Sequence, residues 1–139
     1  MLNKTKINEL IKNTNIDVSN FSDFDFQILE LNNTYNFINP LEIKKFIYEN
    51  KQFIDFFNEI TPILKKQYPN NNYSLEFLVD PENDDLNQIE LIINVNSKDT
   101  NSNSVVSKWR ELNKNLRDIE KKYDLMLKFG TNVELVWVK

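Results

Sequence analysis

Apolar and polar positions recur along this chain with two different periods. The longest regular pattern is helical: Val105, Trp109, Leu112, Leu116, Ile119, Tyr123 and Met126 follow one another at alternating intervals of four and three. Lys108, Arg110, Glu111, Lys114, Arg117, Asp118, Glu120 and Lys121 fill the remaining positions with both signs of charge. The pattern predicts a long helix over 102–123 with one apolar seam and one solvated face. Trp109 and Tyr123 are bulky for a two-stranded coiled coil, so the seam is expected to lie on a sheet. A period of two appears in 73–80, through Tyr73, Leu75, Phe77 and Val79, and again in 88–96, through Ile89, Leu91, Ile93 and Val95. The polar run from Pro81 to Asn87 is short enough to join the two as an antiparallel hairpin.

Upstream, Asn39-Pro40-Leu41-Glu42 reads as a helix start, with an N-cap side chain, proline at the first helical position and a glutamate that can reach back. Ile43, Phe46 and Ile47 form its stripe, and Asn50 offers a break. Phe53, Ile54, Phe57, Ile60 and Leu64 continue as a second stripe, with Pro62 expected to kink it near Thr61. Leu2, Ile7, Leu10 and Ile11 suggest a short amphipathic helix over 2–13. Phe24, Phe26 and Ile28 alternate as in a strand over 24–31. Gly130 is expected to supply a left-handed or tight position before a last strand from Val133 to Val138.

These elements predict a single α+β domain over 1–139: an N-terminal helix and extended segment (1–38), a kinked helical segment (39–69) and a ββαβ core (70–139). The sheet is expected to be antiparallel-rich. With a strand over 24–31 the order becomes βαββαβ, the ferredoxin-like arrangement. Right-handed crossovers would set the last strand parallel to strand 88–96.

Composition narrows the chemistry. The 139 residues include no His, no Cys, no Ala and one Gly. Catalysis built on His or Cys, a Cys/His zinc site, a disulfide scaffold and a glycine-rich phosphate loop are therefore excluded. The abundance of Asn, Lys and Ile reads as the base composition of an AT-rich genome. With 17 basic and 21 acidic residues the net charge is −4, which argues against nucleic acid as a partner. No apolar run approaches a membrane span and the start lacks a secretory signal, so a cytoplasmic location is expected.

Carboxylates remain as the candidates for chemistry. Asp80, Glu82, Asp84 and Asp85 crowd the hairpin connection but lack the glycine and distant glutamate of a calcium loop, so a solvated turn set by Asp80 and Pro81 is expected. Glu76, Glu90 and Glu134 fall on the sheet face opposite the apolar positions. They could converge with Asp80, and Asp80, Glu76 and Glu90 are the metal candidates that would serve a metal-dependent enzyme acting on nucleic acid or nucleotide. That face also carries Leu78, Ile92, Val136 and Val138, an apolar set that calls for a cover: the chain's own N-terminal helices, a second copy, or a protein partner. Lys44, Lys45, Lys65 and Lys66 read as a solvated face. No catalytic residue and no cofactor is expected.

Phe46-Ile47-Tyr48-Glu49-Asn50, Lys65-Lys66-Gln67-Tyr68-Pro69 and above all Leu75-Glu76-Phe77-Leu78-Val79-Asp80-Pro81-Glu82 carry a resemblance to a known group. Together with Ile89–Val95 and the strand after Gly130, they resemble an uncharacterised family of small prokaryotic proteins of cyanobacterial type. Relatives have an acidic, tryptophan-rich segment where this chain has Trp109-Arg110-Glu111-Leu112. The resemblance implies an α+β fold and gene neighbours of toxin–antitoxin type. The expected function is a non-catalytic interaction module that meets a protein partner, or a second copy of itself, through the sheet face or the kinked helix.

Overall fold

The computed structural model describes residues 22–96 and 102–136. The expected helix over 2–13 lies outside them, as does Val138. Within them the chain runs α1 (Asp23–Thr34), β1 (Tyr35–Phe37), α2 (Pro40–Glu49), α3 (Gln52–Gln67), β2 (Asn72–Leu78), β3 (Gln88–Asn96), α4 (Ser102–Lys122) and β4 (Phe129–Val136), with a short 3-10 turn at Asp84–Leu86. The four strands form one mixed sheet in the order β1-β2-β3-β4. β1 runs parallel to β2, β2 antiparallel to β3, and β3 parallel to β4. An α+β class is what the periodicities anticipate, and the ββαβ portion falls where expected. The sheet is not antiparallel-rich, because two of its three pairings are parallel. Nor is the order ferredoxin-like: both helical crossovers join adjacent strands, which leaves β1 at an edge.

Residues 24–31 form helix, not strand. The Ser22 hydroxyl accepts the Asp25 N–H at 3.2 Å and the Asp25 carboxylate accepts the Ser22 N–H at 2.9 Å, a reciprocal pair that closes the first turn. Phe24, Ile28 and Leu31 then share one face, and Ile28 and Leu31 are buried. The first strand begins only at Tyr35. The break at Asn50 is real: its side-chain amide donates to the Phe46 carbonyl at 2.9 Å and the helix restarts at Gln52. Helix α3 continues through Pro62 to Gln67.

Among the described residues the buried helical side chains belong to one cluster with Tyr73, Leu75, Ile89, Leu91, Ile93 and Val95, the inner face of β2 and β3. The 53/54/56/57/60/64 spacing of α3 delivers three phenylalanines to its centre. Phe56 meets Phe129 of β4 edge-on at 4.8 Å and Phe57 meets Tyr35 of β1 at 5.2 Å. Such pairs add about 1 kcal/mol each to the burial of their area. Tyr35 is fully buried and donates to the Thr61 hydroxyl at 2.8 Å, since that hydroxyl spends its own proton on the Phe57 carbonyl at 2.6 Å. Burial pushes the Tyr35 hydroxyl well above the usual phenol range.

Helix α4 packs on the sheet through Leu112 and Leu116, both fully buried. Trp109 Nε1 donates to Thr131 Oγ1 at 3.1 Å, and the Thr131 hydroxyl donates in turn to Asn113 Oδ1. Two details differ from expectation. The helix stops at Lys122, so the seam loses its phase: Leu125 is buried and Met126 is exposed. The stop is a Schellman turn, with Leu125 N–H bonded to the Glu120 carbonyl at 2.9 Å and Asp124 N–H to that of Lys121 at 3.2 Å. Asp124, at φ 56, takes the left-handed position. Gly130 has an ordinary φ and lies inside β4 opposite Glu90.

Candidate functional site

The outer face of the sheet is read from its register. Glu76 stands directly opposite Glu90, which faces Gly130 on its other side. Ser74 faces Ile92, which faces Asn132, and Asn94 faces Glu134. The three glutamates thus share the face as anticipated. Burial first, and then the Glu76 and Glu134 carboxylates, push the Glu90 carboxyl above its ordinary range.

Asp80 is not brought to them. It lies beyond the end of β2, where its Oδ1 accepts the N–H groups of Glu82 at 2.9 Å and Asn83 at 3.0 Å. Its own N–H donates to Asn87 Oδ1 at 2.8 Å, and Asn83 Oδ1 accepts the Asp85 N–H at 3.0 Å. These are turn-building bonds, the role that Asp and Asn side chains take where a backbone needs acceptors. Among the described residues no three acidic side chains gather closely enough to hold an ion.

Of the apolar set expected on the outer face, Leu78, Ile92 and Val136 take register positions on the face of the three glutamates. Leu78 faces Gln88, at the far end of the β2–β3 ladder from Asn72, while Ile92 faces Ser74. Ile92 is only 4% exposed, although it stands apart from the core cluster. Val136 closes the β3–β4 ladder opposite Asn96. Of the four lysines, Lys44 reaches Asp25 at 3.0 Å and ties α2 to α1. Lys65 and Lys66 occupy the last turn of α3.

A different arrangement emerges at the two ends of the sheet. At the end where β1 and β2 finish and β3 and β4 begin, every strand is flanked by an exposed apolar side chain. These are Ile38 after β1, Val79 after β2, Leu86 before β3, and Met126 and Leu127 before β4. Leu41, at the start of α2, joins them and is 79% exposed. The two turns that carry most of this row, 79–87 and 123–128, also hold Asp80, Glu82, Asp84, Asp85 and Asp124 against Lys128 alone. At the opposite end a cleft of about 580 Å³ is bordered by Asn32, Asn36, Lys65, Asn71, Asn72 and Asn94, while Leu135 of β4 is 40% exposed. Periodicity alone assigned Val79 and Met126 to inward positions. What exposes them is the end of β2 at Leu78 and the left-handed turn at Asp124.

Among the described residues no helix is long and apolar enough to cross a membrane. Compared with known proteins, the chain matches no family model, no curated sequence and no solved structure.

Proposed function

We propose that the protein is a non-catalytic protein–protein interaction module, one member of a toxin–antitoxin-like or regulatory pair. The observation that carries this reading is the row of exposed apolar side chains beside the strand ends, next to a carboxylate-rich turn that Asp80 builds through its hydrogen bonds. Single exposed apolar residues are ordinary on a protein surface, whereas their collection at one edge is the mark of a contact region. The surface used is then the strand-end edge, with the outer sheet face behind it. The test is photo-crosslinking in the source cells, with a benzophenone amino acid replacing Val79, Leu127 or, as control, Lys114 on α4. Discrete adducts at the first two positions and none at Lys114 are expected. No adduct at either strand-end position overturns the reading, and an adduct of twice the chain mass identifies a homodimer.

A second reading draws on the Glu76–Glu90 pairing: a metal-dependent enzyme acting on nucleic acid or nucleotide. Millimolar Mg²⁺, Mn²⁺ or Ca²⁺ separates the two. Under the interaction reading the melting temperature stays where it is, while a metal-specific rise abolished by Glu90→Gln would favour the enzyme.

A further inference from the structure

The strand-end edge has a length, a polarity and a charge, and together they describe what would sit on it. Neighbouring strands in a sheet lie about 4.8 Å apart, so a row running from Ile38 across to Leu127 spans about 15 Å. At 1.5 Å per residue that is the length of about ten residues of helix, three turns with apolar side chains on one face. The carboxylates of the two turns decide the rest. A second copy pairing through this edge by two-fold symmetry would set Asp80, Glu82, Asp84, Asp85 and Asp124 against the same five groups. A nucleic acid or an anionic membrane meets the same repulsion. From this row and this charge we infer that the edge receives a basic amphipathic helix of a partner protein, its apolar side chains on Val79, Leu86 and Leu127 and its Lys or Arg residues on the flanking carboxylates. The inference rests on the interaction-module reading and adds the chemistry of the partner to it.

The probe is a synthetic peptide of about 14 residues with leucines on one helical face and lysines elsewhere. A counterpart carries glutamate at every lysine position. Binding is read by fluorescence anisotropy at physiological salt. The lysine peptide binds and the glutamate peptide does not. Val79→Ser with Leu127→Ser weakens binding on the order of tenfold, as does Asp84→Lys with Asp85→Lys. Glu111→Lys with Asp118→Lys, an equal change of charge on the exposed face of α4, leaves affinity within about twofold. An unchanged melting temperature verifies that each variant is folded. Equal binding of both peptides, an equal loss in the α4 variant, or no loss in Val79→Ser with Leu127→Ser overturns the inference. Crosslinked adducts at Val79 and Leu127 without lysine-peptide binding overturn the partner chemistry alone. Absence of both removes the interaction reading as well.

Discussion

Asn39 holds Phe77 by both of its backbone groups. Its side-chain amide donates to the Phe77 carbonyl at 3.0 Å and accepts the Phe77 N–H at 2.7 Å. One side chain thus continues the β1–β2 ladder past Phe37, after Pro40 has turned the backbone away into α2. The N-cap role expected of this side chain is not the one it plays, since α2 begins without a side-chain cap bond.

Asn39→Ala is accordingly expected to cost about 2 kcal/mol, because it strands a donor and an acceptor on Phe77. Asn39→Ser, a good helix cap that cannot span both groups, should not restore the loss. Urea unfolding of the two variants separates the ladder role from a capping role.

Asp124 and Gly130 offer a matched pair of substitutions. Asp124→Gly relieves a left-handed position and is expected to raise stability by about 1 kcal/mol. Gly130→Ala should change little: the atoms nearest an added Cβ belong to the Gln88 side chain, at 3.5 Å, an ordinary contact. Thermal unfolding of both variants checks the reassignment of the left-handed residue from 130 to 124.

Glu90 binds its proton more tightly in the folded chain than in the unfolded one, because burial and the neighbouring Glu76 and Glu134 disfavour its charge. Stability therefore falls as pH rises from the ordinary carboxylate value of 4.5 through the raised one. Glu90→Gln should gain about 0.5 kcal/mol at neutral pH, the scale of a like-charge cross-strand pair. The gain should vanish near pH 4, and urea midpoints across that range measure it.

Asp25 behaves in the opposite sense. The Ser22 N–H, the Lys44 ammonium and the Ser22 hydroxyl hold its carboxyl down from 3.8 to about 2. Its contribution is complete above the unfolded value and disappears as pH falls through the folded one. Wild type and Asp25→Asn should differ in stability at neutral pH and converge toward pH 2, with amide exchange in the first turn of α1 following the same course.

How far the sequence could be read depended on window length. The β2–β3 hairpin and α4 each repeat one period long enough to exclude the other, and Asn39-Pro40 marks a helix start by itself. Residues 24–31 satisfy both periods, through Phe24/Phe26/Ile28 and through Phe24/Ile28/Leu31. The decisive signal was the Ser22/Asp25 capping pair just upstream. The full strand order was not readable: the β2–β3 hairpin and the parallel sense of β4 were, but where β1 and β4 lie depends on which crossover covers which neighbour. Nor was the strand-end edge, since an apolar residue such as Leu86 or Leu127 looks the same in a sequence whether it faces a core or water. The turn carboxylates, by contrast, were visible from composition and spacing, down to the part Asp80 plays in the turn.

The order of strands in space repeats their order along the chain, and this has a bearing on how the protein is made. Each strand pairs with the strand next to it in the chain: β1 with β2, β2 with β3, and β3 with β4. The β2–β3 hairpin closes over a short connection, whereas the parallel pairs, Tyr35 with Tyr73 and Ile89 with Phe129, each wait for a whole helical crossover, which costs more closure entropy and slows folding. A nascent chain that has cleared the ribosome through Leu78 already carries the whole β1-α2-α3-β2 unit, with Phe57 against Tyr35. Each later strand then adds to an existing edge, so the sheet grows in one direction as synthesis proceeds.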